Sequence, residues 1–162
     1  MGDIQATQST QLREMELIID DLEIAGSRDF IEAGMHWRMI KESNLWKSSG
    51  SHIKSFADYI RDRGRKVATV YNQILIATAL EGFTLKGCDY TKLLEVARVK
   101  RRWEISKEQT EQLIEDIKLL PYNGLKDNIK NIIGLKATDE CEHLELEAWN
   151  KCKTCHKWLK EG

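Results

Sequence analysis

Five residues near the C-terminus, Cys141, His143, Cys152, Cys155 and His156, have the types and spacing of a metal site. Zinc favours four sulfur or nitrogen ligands in a tetrahedron, and a Cys-x-x-Cys knuckle sets two thiolates at one corner of it. Cys152 and Cys155 form that knuckle, Cys141 and His143 supply the other two ligands, and His156 competes for a place. Lys151, Lys153 and Lys157 offset thiolate charge, while Trp149 and Trp158 are placed to cover the site. A structural Zn2+ would stabilise an appendage too short to build its own core. Three other states of these residues stay open. They are free or redox-active thiols, a disulfide (disfavoured, since nothing indicates export), and haem, because CKTCH fits the c-type attachment pattern. Cys88 stands apart and reads as a core or turn residue.

A second stretch with chemical content is SFADYIRDRGRKVATVYNQILIATAL, residues 55–80. A short helix, a turn glycine and a second helix with Val70 six residues past Gly64 is the layout of a helix-turn-helix. Gly64 takes the left-handed turn conformation without a Cβ penalty. Phe56, Tyr59 and Ile60 are expected to pack from the first helix, and Val67, Val70, Ile74 and Ala77 from the second. The complementary face then carries Arg65, Lys66, Thr69, Asn72 and Gln73. Such side chains read double-stranded DNA: Arg and Lys pair with guanine or phosphate, Asn and Gln with adenine, and Thr with phosphate or the thymine methyl. Arg61, Arg63 and Arg101 are candidate phosphate anchors. Arg101 belongs to the cluster Lys100–Arg101–Arg102–Trp103, which equally fits a helix end that favours positive charge. The bland alternative for the whole motif is a helical hairpin with a solvated polar face.

The turn glycine and basic pair of GRKVATVYN, followed by Thr69 and Val70, resemble the helix-turn-helix of ParB-like and related phage or plasmid DNA-binding proteins. TKLLEVARV and the charged helix ending IKLLPYNGLKDNIK are similar to the helices beyond that motif, so the resemblance spans about residues 54–130. It implies sequence-specific duplex DNA binding by a regulator or accessory protein of a phage, plasmid or other mobile element. Two positions depart from the pattern. Ile60 stands where a small residue is usual and Gln73 where an apolar one is, which allows a different helix crossing or a register slip of one. No ParB nucleotide-binding signature lies upstream, so no partitioning role is implied.

Helices must position these residues, and nearly the whole chain reads as helix. Leu12, Met15, Ile19 and Leu22 recur at three- and four-residue steps before a stop at Gly26. Their near-heptad spacing makes that helix a candidate homodimer contact, with packing onto its own domain as the equal alternative. Asp20, Asp21 and Glu23 on it read as a solvated face. Ser27 is expected to cap a second helix running to about Lys47, burying Phe30, Ile31, Trp37, Ile40 and Trp46. SSGSH reads as a loop, and Ser55 with Asp58 as a capping pair. Further helices are expected from about Lys66 to Leu80 and from about Tyr90 to Val99, the latter carrying Leu93, Leu94, Val96 and Ala97. Ser106 caps the next, with Leu113, Ile117 and Leu120 inward until Pro121. Asn123–Gly124 then signals a turn, and LKDNIKNIIG a last helix ended by Gly134. The expected architecture is all-α. It comprises an N-terminal amphipathic helix (1–26), a helical helix-turn-helix domain (27–135) and a small Cys/His zinc-binding tail (136–162).

Charge distribution supports a polyanion-facing middle. The chain of 162 residues has a net charge of −1, yet residues 30–104 hold fourteen bases against eight acids. Residues 1–29 hold seven acids against two bases, and residues 105–162 eleven acids against nine bases. One proline and ten glycines argue against an all-β fold. Without a long apolar run or a signal-like start, a cytoplasmic protein away from the membrane is expected. Phosphate-binding loops, nucleophile elbows and HExxH are missing, and His36 and His52 lack partners at ligand or triad spacing. Neither enzyme activity nor a small-molecule substrate is therefore expected. The rival class is a zinc-stabilised helical adaptor without direct DNA contact, whose acidic arm meets a basic partner.

Overall fold

A computed structural model describes residues 2–24, 30–134, 146–147 and 151–152, with side chains described within 7–22 and 30–134. The elements are α1 (Gly2–Ile24), α2 (Phe30–Glu42), a 3-10 turn (Leu45–Ser49), α3 (Phe56–Asp62), α4 (Val67–Ala79), α5 (Tyr90–Trp103), α6 (Lys107–Leu119) and α7 (Tyr122–Ile132). Two short strands, β1 (Leu146–Glu147) and β2 (Lys151–Cys152), pair antiparallel with Leu146 opposite Cys152. The fold is all-α in its described helical body, as the apolar spacing requires. None of the described helices is long and apolar enough to cross a membrane. The expected stop at Gly26 and cap at Ser27 lie outside the described residues.

The chain divides into two compact units, Met1–Arg98 and Val99–Gly162. In the first, Leu12, Met15 and Ile19 of α1 join Trp37 and Ile40 of α2, Phe56, Tyr59 and Ile60 of α3 and Val70 of α4 in one apolar core. The α1 stripe read as a candidate dimer contact is thus spent within the chain, with Ile19 only 1 % exposed. Trp37 is the largest fully buried side chain among the described residues and meets Phe56 and Tyr59 edge-on, at 6.4 and 6.2 Å between ring centroids. Helices α2 and α4 approach so closely that a Cβ on Gly34 would lie 2.4 Å from the Gln73 carbonyl oxygen. Only glycine fits there.

Two boundaries differ from the sequence expectation. The second helix ends at Glu42 rather than near Lys47, because Asn44 adopts φ 56° and starts the 3-10 turn. Asparagine enters this left-handed region more readily than other residues with a Cβ. Trp46 consequently packs from that turn, partly buried against the core. In the second unit, Asn123 and Gly124 lie inside α7 instead of forming a turn. Pro121, with φ −64°, is preorganised for a helix start and leads straight into Tyr122.

The second unit contains an α6–α7 hairpin closed by Leu113, Ile114, Ile117, Leu125 and Ile129, all buried. Ser106 caps α6 in a reciprocal capping box with Gln109. Asp116, 7 % exposed, accepts from Gln112 Nε2 at 3.0 Å and Asn128 Nδ2 at 3.1 Å. Those two amides satisfy a carboxylate that burial would otherwise penalise heavily.

Candidate nucleic-acid interface

The turn between α3 and α4 is built from local chemistry. The Ser55 hydroxyl accepts from the Asp58 N–H at 3.1 Å and donates to its carboxylate at 2.7 Å, fixing the start of α3. At the other end Gly64 has φ 69°. Its N–H donates to Arg61 O at 2.8 Å, and the Arg65 N–H donates to Ile60 O at 3.0 Å. These two bonds form the double closure of a Schellman motif, which stops α3 and redirects the chain. Helix α4 begins immediately after Lys66. Ile60, Val70 and Gln73 face inward, at 0, 1 and 6 % exposure.

Burial of Gln73 corrects the expected reading face. At 6 % exposure the residue faces inward, so Gln73 leaves the outward set. Among the described residues its Oε1 has no hydrogen-bond partner. Asn72 is half-buried beside the Tyr90 hydroxyl. Burial raises the Tyr90 pKa above its ordinary 10.0, and the Asn72 contact opposes that rise. Ile76, absent from the predicted inner face, is fully buried. The fully buried residues of α4 are therefore 70, 73, 76 and 77, with the expected Val67 and Ile74 partly buried against the same core.

The arginines flanking the turn are engaged by α1. Arg63 Nη2 donates to Asp20 Oδ2 at 2.9 Å, and Arg65 Nη2 to Asp20 Oδ1 at 3.0 Å. Glu16 lies 3.7 Å from Arg63 Nε and accepts from the Tyr59 hydroxyl at 2.6 Å. Burial first, and the Glu16 contact second, push the Tyr59 pKa far above its ordinary 10.0, so the hydroxyl remains a donor at physiological pH. Asp20, expected on a solvated face, is instead a shared acceptor for two guanidinium groups. The acidic N-terminal segment thus meets part of the basic middle within its own chain.

Other candidates remain outward. Arg61 is exposed and pairs with Asp58 at 2.9 Å, a surface contact of the kind that contributes little. Lys66 and Thr69 are exposed at the start of α4. Arg101 is exposed in the last turn of α5, within the second unit. Sequence reading missed Ala68 and Tyr71, which also face outward on α4. Tyr71 is held edge-on to Phe56 at 6.0 Å, with the Lys41 ammonium 4.8 Å from its ring centroid. The only prior signal for Tyr71 was its position one residue past Val70, about 100° around the helix from the buried stripe.

The remaining polar candidates take other places. His52 lies 3.3 Å from Asp62 at the surface, and Cys88 sits half-buried in the turn before α5. A cavity of about 970 Å3 in the first unit is walled by Phe30, Met35, Leu80, Phe83, Leu85 and Tyr90 among others. Cys141, His143, Cys155 and His156 lie outside the described residues, and of Cys152 only the backbone is described. Among the described residues no group of three His, Cys, Asp or Glu is arranged to hold a metal. Neither a protein-family model nor a curated protein nor a solved structure matches this chain.

Proposed function

We propose that the protein binds double-stranded DNA through the α3–turn–α4 motif, as a regulator or accessory factor of a phage, plasmid or other mobile element. The observation that carries this reading is the turn itself. A seven-residue helix, a left-handed Gly64 with Schellman closure and a thirteen-residue second helix are assembled with inward slots at Ile60, Val70 and Gln73. The start of α4 would enter the major groove, the usual placement for a recognition helix. Lys66 and Arg61 are the nearest outward cations for phosphate, while Arg63 and Arg65 are already held by Asp20.

The test is titration of the full chain with random-sequence duplex at rising salt. Affinity should fall as salt rises, and Lys66→Ala should weaken binding while reducing the logarithmic salt slope by about 1. Asp20→Asn should act in the opposite sense. Removing that carboxylate releases an attraction of about 1 kcal/mol in high dielectric, so affinity should rise about fivefold. Absence of duplex binding at low salt would overturn the reading and favour the adaptor alternative. For that alternative, Met35 and Met39, each nearly half exposed on α2, offer an apolar contact.

For the tail we propose a structural Zn2+ held by Cys141, His143, Cys152 and Cys155, with His156 as the competing ligand. Ligand types and spacing support it. So does the β1–β2 ladder, because pairing Leu146 with Cys152 brings together the points where the chain enters and leaves the hairpin. Purified protein should hold one zinc per chain, lost on Cys152→Ser. Haem absorbance, or no metal after purification without chelator, would overturn it.

A further inference from the structure

The outward face of α4 has an unusual composition for a helix assigned to base reading. Of the side chains able to make two hydrogen bonds to one base, Arg65 is held by Asp20, Asn72 is half-buried beside Tyr90 and Gln73 is in the core, which leaves Lys66 at the helix start. Exposed in the first two turns are Ala68, Thr69 and Tyr71, which offer two methyl groups and an aromatic ring. The ring is restrained by Phe56 at 6.0 Å and Lys41 at 4.8 Å, so little rotamer freedom remains to be lost on contact. Cations border this apolar strip, with Lys41 over the ring and Lys66 at the start of the helix. An apolar strip edged by positive charge complements a groove whose floor carries apolar groups and whose walls are phosphate.

The thymine C5-methyl is the apolar group that base edges present in the major groove. We propose that α4 recognises thymine methyl groups through Ala68, Thr69 and Tyr71, and hence that the preferred ligand is duplex DNA with clustered thymines in its half-site. This rests on the DNA-binding reading above and specifies what the helix reads.

The experiment enriches duplexes from a random pool on the full chain. The enriched sequences are then resynthesised with deoxyuridine for thymidine, which removes only the methyl group. Kd should rise about fourfold for each methyl contacted, the equivalent of one buried methyl group. Tyr71→Ser, which changes an exposed side chain, should shrink the ratio between the two duplexes while leaving the helical circular dichroism intact. Equal binding of thymidine and deoxyuridine duplexes, or an enriched motif without thymine, would overturn this inference and leave DNA binding standing. Failure to enrich any duplex would overturn both.

Discussion

Gly34→Ala is expected to destabilise the protein by about 3 kcal/mol, although alanine is the better helix former by about 1 kcal/mol. The added Cβ would lie 2.4 Å from the Gln73 carbonyl oxygen and 2.7 Å from its carbon, both backbone atoms that no rotamer change can move. Relief requires α2 and α4 to separate, and separation thins the packing around Ala77, whose Cβ is already 3.2 Å from the same point. Urea unfolding of the full chain gives the direct measurement, and a drop in Tm of about 10 °C is the expected thermal counterpart. A neutral or stabilising result would mean that the two helices pack less closely than described.

Trp37→Ala should cost about 4 kcal/mol, the usual range for emptying a large aromatic site in a core. The side chain is 1 % exposed and bridges α2 to Phe56 and Tyr59 of α3. Trp37→Phe should cost much less, about 1–2 kcal/mol, for two reasons. A phenyl ring retains most of the edge-on contacts. It also removes an indole N–H for which no acceptor exists among the described residues. Equal losses for the two substitutions would show that the indole N–H, rather than volume, matters at this site. Denaturant midpoints of the two variants, compared at constant slope, separate these cases.

Much of the helical body was legible because periodicity reports burial directly. Leu12, Met15 and Ile19, or Leu93, Leu94, Val96 and Ala97, recur at helical spacing and are all buried. Caps were legible for the same local reason: Ser55 and Ser106 each accept from the backbone three residues on. What failed depended on single backbone choices or on distance along the chain. Asn44 and Asn123–Gly124 are both ordinary turn signals, yet one breaks a helix and the other is absorbed into one. Proline placement decided the second case.

The candidate site was legible as a motif but not as a surface. The motif put Arg65, Asn72 and Gln73 on the free reading face and Arg63 among the phosphate anchors. No local pattern reveals that Asp20, more than forty residues earlier, accepts from both arginines. Nor does it reveal that Asn72 is half-buried beside Tyr90. Gln73 was misplaced because residue type was weighed above register: a polar side chain followed the inward track of Val70 and Ala77.

The sharing of Asp20 by Arg63 and Arg65 has a kinetic consequence. Guanidinium groups already matched to a carboxylate add little to the potential felt one Debye length away, about 8 Å at physiological ionic strength. A distant polyanion is therefore steered only weakly toward the turn. Association should proceed near the unsteered range of about 10^5–10^6 M−1 s−1, leaving discrimination between partners to how long each complex survives once formed.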